Sequence, residues 1–323
     1  MGGYTLEYIG PSGRTWVLQG DDQNAQPVTL LRKPVGLYGP PVDVQRHRVL
    51  ASRETYRVST LPQQANIELQ VEVALPAVDV ARLGARAQDE YMNLLRDWFK
   101  DWPVDDGTTT APPTGTIVAK RPGVSPRYLD VYRTEEIEPL SSIDPSVALR
   151  GKFLIVCSAD DPYPRLDAAT VNTPLKPGST AMFSVTNVGE VAVAPKLSFD
   201  MPRADTEVSV VVDGKTIASF TYEIPGPGTF DLDPNELTYS LAGDVKPIEF
   251  WWNPVIGTLG NEARKMLEKY GTPRAAVSPI AAPWGQNADA LIPAGKRATI
   301  NVRASQEGTV KMELTPRVER LLF

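Results

Sequence analysis

Short runs of alternating apolar and polar residues cover most of this chain, the period-two pattern of strands with one buried face. Residues 67–73, Ile-Glu-Leu-Gln-Val-Glu-Val, alternate strictly and predict an antiparallel strand with one wet face. Residues 4–9 and 15–18 flank the turn Gly10-Pro11-Ser12-Gly13 and predict a hairpin. Residues 28–31 predict a further strand, broken by a Gly/Pro cluster at 36–41. Residues 42–61 carry Arg46, His47, Arg48, Arg53 and Arg57 and read as an exposed hairpin or long loop. Then the period changes. Leu83, Ala87, Tyr91, Leu94, Leu95 and Trp98 fall on one stripe and predict a helix over about 79–98. Strands resume at 115–119 and 127–132, with a Pro122-Gly123 turn between them. Residues 151–159, GKFLIVCSA, are almost continuously apolar and predict a strand buried on both faces.

The run Asp160-Asp161-Pro162-Tyr163-Pro164 ends that strand and places a domain boundary near residue 165, giving domains 1–165 and 166–323. The second domain reads as short strands at 181–186, 191–199, 206–212, 216–222, 230–233, 237–241, 248–252, 291–292, 298–304 and 309–315. Asp213-Gly214 between the third and fourth is a two-residue hairpin turn. Such spacing points to a β-sandwich or jelly-roll-like domain. A Pro/Ala/Gly-rich excursion at about 254–287, with a short helix at 261–270, reads as a surface insertion. The fold class is therefore mostly β, with one packed helix in the first half.

Composition narrows the function classes. The chain has 323 residues, 42% hydrophobic and 22% charged, enough for two ordinary cores and too apolar for general disorder. Thirty prolines disfavour a largely helical protein. The net charge of −6 argues against coating nucleic acid, which needs a basic excess. No apolar run reaches the roughly 18 residues of a membrane span, and the N-terminus lacks the charged-then-apolar pattern of a signal peptide. Synthesis in the cytoplasm as a soluble protein is the expectation.

Candidate chemistry is sparse. The single cysteine, Cys157, lies in an apolar strand and reads as a buried inert thiol. The single histidine, His47, sits between two arginines with no cysteine to share a metal. Neither GxSxG, a P-loop nor GxGxxG after a strand is present. The acidic pairs Asp21-Asp22, Asp105-Asp106 and Asp160-Asp161 lack the EF-hand pattern, and Asp231 with Asp233 are too close along one strand for a glycosidase pair. No catalytic residue, metal site or cofactor is expected. Trp251 and Trp252, with Trp284, offer one alternative: a sugar-stacking platform of a carbohydrate-binding or host-adhesion module on the second domain. Neighbouring strand residues face opposite ways, so packing in the core and under the insertion is the competing reading of the pair.

The order of the turns and strands resembles a known family. The opening YTLEYIGPSGRTWVLQG is similar to the start of distal tail proteins, often called minor tail proteins, of long-tailed bacteriophages infecting actinobacteria. The strand and helix at 67–98, the hairpin GTIVAKRPGVSPRYLDVYRTEEIE and the closing segment KFLIVCSADDPYPRL follow in the family's order. FDLDPNELTYSL, WGQNADALIPAGKRATINV and MELTPRVERLL resemble the later strands. Pro164 stands where the family often has tryptophan, and the 254–287 excursion departs from the pattern.

The resemblance implies an N-terminal β-domain with one packed α-helix and a galectin-like β-sandwich behind it. It also implies a hexameric ring at the virion's tail tip, joining the tail tube to the tip or baseplate proteins. The implied partners are further copies of the chain, the tail tube protein, the tape measure protein and tail-tip hub proteins. Candidate subunit contacts are Tyr4, Arg14 and Trp16 on the first hairpin, Arg46, Arg48, Arg53 and Arg57 on the arginine-bearing stretch, and Arg127 and Tyr132 on the hairpin at 116–132.

Overall fold

The computed structural model describes residues 3–21, 25–39, 42–48, 55–62, 65–102, 104, 114–224, 228–233, 238–241, 244–247 and 291–322. The strand expected at 248–252, the helix at 261–270, the 254–287 excursion, Arg53, Trp251 and Trp252 lie outside them. The chain is mostly β and packs as two compact units, Met1–Leu166 with Val318–Phe323, and Asp167–Arg317.

In the first unit, β1 (Thr5–Ile9) and β2 (Thr15–Gln19) form the expected hairpin. β3 is Val28–Leu30, and β4 (Val42–Arg48) pairs with β5 (Thr55–Pro62). β6 (Ala65–Ala74) shows the alternation of its sequence as strict alternation of burial, with Ala65, Ile67, Leu69, Val71 and Val73 inside. Helix α1 (Ala77–Leu83), a 3-10 turn at Gly84–Arg86 and helix α2 (Ala87–Lys100) occupy the expected helical region. The break falls at Gly84, whose φ of 55° is outside helical geometry. Beyond it Ala87, Tyr91, Leu94, Leu95 and Trp98 are buried, which is the predicted stripe without Leu83. β7 (Gly115–Arg121), β8 (Val124–Arg133), β9 (Glu138–Pro139), α3 (Pro145–Ala148) and β10 (Arg150–Ala159) complete the unit.

The sheet runs β2-β1-β7-β8-β10-β6-β3, with β9 on β10. Its two ends, β2 and β3, pack against each other, so the sheet curls around its core. Register keeps inward residues opposite one another: Tyr8 with Ile117, Ile117 with Leu129, Cys157 with Ile67, Ile155 with Leu69. A one-residue slip would turn that whole set outward. β10 departs from expectation. Its burial alternates, with Lys152 exposed and Leu154 and Val156 only half-buried, so it is not covered on both faces. The reason is its place in a curled sheet that has its core on one side.

The second unit is a two-sheet sandwich. β11 (Ala169–Leu175), β13 (Lys196–Met201), β16 (Gly228–Asp233), β17 (Thr238–Leu241), β18 (Asp244–Pro247) and β20 (Gly308–Leu314) form one sheet, in the order β11-β20-β13-β16-β17-β18. β12 (Thr180–Thr186), β14 (Ala204–Val212), β15 (Lys215–Ile224) and β19 (Arg297–Ala304) form the other, in the order β12-β19-β14-β15. Rows such as Phe183–Ile300–Val210 on one sheet and Phe230–Phe199–Val310 on the other meet in a single core. The Asp213-Gly214 turn has φ of 50° and 78°, the double positive that a two-residue hairpin needs. The strand expected at 191–199 is shorter, because Val191 and Val193 make only isolated bridges, to Arg317 and Ile292.

Gly36 tests the closure of the first unit. Its φ is +86°, and a Cβ there would run into the Asn66 main-chain carbonyl beside the Val35–Glu68 bridge. Gly36→Ala is expected to destabilise the unit by about 2 kcal/mol or more. Urea unfolding followed by tryptophan fluorescence measures it; an unchanged midpoint counts against the tight approach.

Candidate functional site

The candidate contact residues fall on three features of the first unit, and the structure treats them differently. On the β1–β2 hairpin they are largely used within the protomer. Trp16 shares the inner face of β2 with Leu18, so that its ring turns inward, and it is 2% exposed. Its indole stands edge-on to Trp98 at 5.1 Å, while Tyr8 stacks on Trp102 at 3.7 Å. The buried Asp101 anchors this cluster. Its carboxylate accepts from Trp16 Nε1 at 2.6 Å, and its main-chain carbonyl accepts from the Tyr8 hydroxyl. Trp16 therefore has no open ring surface and serves the core, not an exposed contact.

Arg14 crosses from the hairpin turn to α2. Its guanidinium lies 4.0 Å from the Trp16 ring centroid and pairs with Asp97 at 2.7 Å. The pair is solvent-exposed, so its own contribution is small, about 0–1 kcal/mol. Tyr4 is half-buried against the core, and its hydroxyl donates to Gln19 Oε1 at 3.3 Å.

The second feature is the β4–β5 ribbon. Arg46, His47 and Arg48 lie on β4 and Arg57 on β5. The register places Arg46 opposite Arg57, beside an irregularity between Gln45 and Arg46. Like charges directly opposite destabilise a strand pair. Among the described residues these two strands pair only with each other. A two-stranded ribbon alone is marginal in water.

The third feature, the β7–β8 hairpin, is not a free arm. β7 pairs with β1 and β8 pairs with β7 and β10, so the hairpin lies inside the sheet. Arg127 Nη1 donates to the Arg320 carbonyl at 2.8 Å, and the Tyr132 hydroxyl donates to Asp160 at 2.8 Å. The structure thus uses the described candidates on the two hairpins, Tyr4, Arg14, Trp16, Arg127 and Tyr132, inside the protomer.

Two features were missed by sequence reasoning. The aromatic cluster was signalled by Trp98 and Trp102 one helical turn apart, facing Tyr8 and Trp16 on alternating strands. The other is the segment between β8 and β10. It was signalled by four acidic residues (Glu135, Glu136, Glu138, Asp144) with no lysine or arginine among 134–149, interleaved with Leu140, Ile143 and Val147.

Among the described residues no group of three or more His, Cys, Asp or Glu side chains is placed to hold a metal ion, and no helix is long and apolar enough to cross a membrane. Cys157 is fully buried, and burial pushes its thiol far above the usual range, away from the reactive thiolate.

No family model matches the chain, and no curated protein matches it in sequence. Solved structures do. The SPP1 Dit protein, described as a paradigm of the hub adsorption apparatus in phages infecting Gram-positive bacteria, superposes with a TM-score of 0.50 at 10% identity, over 97% of this chain and 99% of that one. A chain of the phage p2 baseplate in its activated conformation with Sr gives a TM-score of 0.43 at 9% identity, over 97% and 98%. The class defined is thus a fold class: over nearly its whole length the chain is similar in fold to SPP1 Dit. The likeness to SPP1 Dit spans both units and extends no residue role to this chain.

Two outcomes follow from the cluster. Trp16→Phe keeps an aromatic ring of smaller volume and leaves Asp101 without its indole donor, and is expected to cost about 1–3 kcal/mol or more in a urea titration. Burial raises the Tyr8 pKa strongly and pushes the Tyr91 pKa from 10.0 up to about 12, with Cys157 and Glu72 adding to the respective shifts. A raised phenol pKa favours the neutral folded form. That stability is complete below pH 10 and is lost as pH rises towards and beyond 12. Tyrosinate absorbance and circular dichroism should change together above pH 10; ionisation of all tyrosines with the fold intact would refute the buried-phenol account.

Proposed function

We propose that this chain is a structural component of a bacteriophage tail tip. In this reading it forms a hexameric ring that joins the tail tube to the tip or baseplate proteins, and it has no catalytic role. The observation that carries the reading is the coextensive fold likeness to SPP1 Dit, which covers 97% of this chain and 99% of that one. A likeness confined to one unit would be a shared domain; one that spans both carries the order of the units as well.

Two features support assembly. The first is the β4–β5 ribbon, a strand pair with like charges opposed and no third strand among the described residues. The second is the set of exposed apolar side chains outside both cores, among them Ile143, Val147 and Met182. Large exposed apolar residues in groups mark surfaces that other proteins cover. The tail tube protein, the tape measure protein and tail-tip hub proteins are the proposed neighbours, and the virion tail is the proposed location. The further proposals are a galectin-like identity for the sandwich and an actinobacterial host.

Negative-stain electron microscopy of the purified full chain, with sedimentation velocity, tests this. Rings with sixfold symmetry are expected. A monodisperse monomer at tens of micromolar, with no assembly in the presence of the tail tube protein, would exclude the reading.

A further inference from the structure

Among the described residues the sandwich has an open edge at each end of its two sheets: β11 and β18 on one, β12 and β15 on the other. Three of these edge strands carry a feature that discourages a further strand from adding to them. β11 contains Pro174, β18 reads Asp-Val-Lys-Pro, and β15 starts on Lys215 and shifts register against β14. β12, Thr-Ala-Met-Phe-Ser-Val-Thr, has no proline, no glycine and no charge, and its register with β19 is unbroken. Short segments of that composition pair with other strands when an edge is open.

The pairing with β19 fixes which backbone groups β12 leaves over. The Asn187 N–H donates to the Lys296 carbonyl at 3.0 Å and continues the ladder. Backbone direction alternates along a strand, so Ala181, Phe183 and Val185 also turn their amides and carbonyls towards β19. Those of Thr180, Met182, Ser184 and Thr186 point away from it, and no other described strand takes them up. Side chains alternate as well. Ala181, Phe183 and Val185 lie in the sandwich core, while Met182 is 69% exposed.

The segment is close to a palindrome about Phe183. Laid antiparallel on a second copy of itself, Thr180 meets Thr186, Ala181 meets Val185, Met182 meets Ser184 and Phe183 meets Phe183. In that register the left-over amides and carbonyls face one another as hydrogen-bonded pairs. Core side chains stay on the core side, and no charge is buried.

We propose that β12 is a homophilic edge: two copies of this chain pair through it, antiparallel about a two-fold axis, and join their β12-containing sheets into one continuous sheet. The contact is isologous and saturates at two copies. It is thus distinct from the heterologous contact that a ring requires, and it stands whether or not a ring forms. Main-chain hydrogen bonds hold it, so salt does not weaken it as it would an ion-paired contact.

Thiol cross-linking of two differently tagged full-length copies, one Thr180→Cys and one Thr186→Cys, tests the register. With a short bifunctional reagent the mixed pair is expected to link, equally at about 0.1 M and about 1 M salt. Either variant alone should not link, because like positions then lie six residues apart along the strand pair, roughly 20 Å. The native Cys157 is buried and leaves the background low. Met182→Pro removes an amide that faces the open edge, and Met182→Lys places a charge there. Both keep the β19 ladder, so each should raise the pairing concentration at least about tenfold in sedimentation velocity, and the lysine variant decides if the proline variant does not fold. No mixed link at any concentration overturns the contact, and rings formed without it leave the ring reading standing. Mixed links in protein that forms no ring uphold the contact while the ring reading falls. Slow amide exchange at Met182 and Ser184 in dilute monomer would mean that the chain covers its own edge. Protection gained only on adding tail tube protein would give the edge to a foreign strand. Equal linking in both single variants would mean another register. Each of these three results overturns the proposal.

Discussion

The first unit depends on one buried acidic residue at the end of a helix. Asp101 follows the last turn of α2 and receives the Trp16 indole on its carboxylate and the Tyr8 hydroxyl on its carbonyl. At the other end of the helix Tyr91 donates to the Val73 carbonyl of β6 at 3.3 Å. The helix therefore spans the curled sheet and ties the β1–β2 end to the β6 end. A buried carboxylate without partners would be costly. Here its hydrogen bonds turn it into the point that sets helix position. The stripe Tyr91, Leu94, Leu95 and Trp98 then packs on a core already in register.

That arrangement divides the surface into used and unused parts. Charged residues near the helix are committed locally, as Arg14 is to Asp97 and the Trp16 ring. On the outer face of the sheet Lys120 pairs with Glu7 and Arg150 with Glu72. The ribbon and the acidic segment between β8 and β10 are different in kind. Both carry apolar residues and an excess of one charge sign in sequence, and the acidic segment is tied to the core through Ile137 and Leu149.

Much of the fold was legible in the sequence where one face is buried and the other is wet. β6 shows this best, because its strict alternation maps onto alternating burial over ten residues. The Asp213-Gly214 turn was legible because few residue pairs accept two positive φ values. Failures came where periodicity is silent. β11 was missed because six of its seven residues are not buried, and its pairing to β20 is made by backbone alone. β10 was misread because a run of apolar residues does not say how many faces are covered. Trp16 reads as a subunit-contact candidate from its position in a hairpin, although its spacing from Leu18 puts both on the inner face. The acidic composition of 134–149 was also in the sequence, but its exposure became visible only with the backbone traced along β10.

The chain leaves the first unit after Leu166 and comes back at Val318, and there the Val318 N–H donates to the Pro164 carbonyl at 2.8 Å. Leu321 and Leu322 then donate to the Leu37 carbonyl and bury themselves in the first core. The sandwich is thus spliced into its host between two neighbouring chain positions, as a cassette on a single pair of leads. Everything from 167 to 317 can be shortened, enlarged or exchanged without breaking a strand of the curled sheet. Such wiring leaves the sandwich free to vary in length while the curled sheet stays bound by its own geometry.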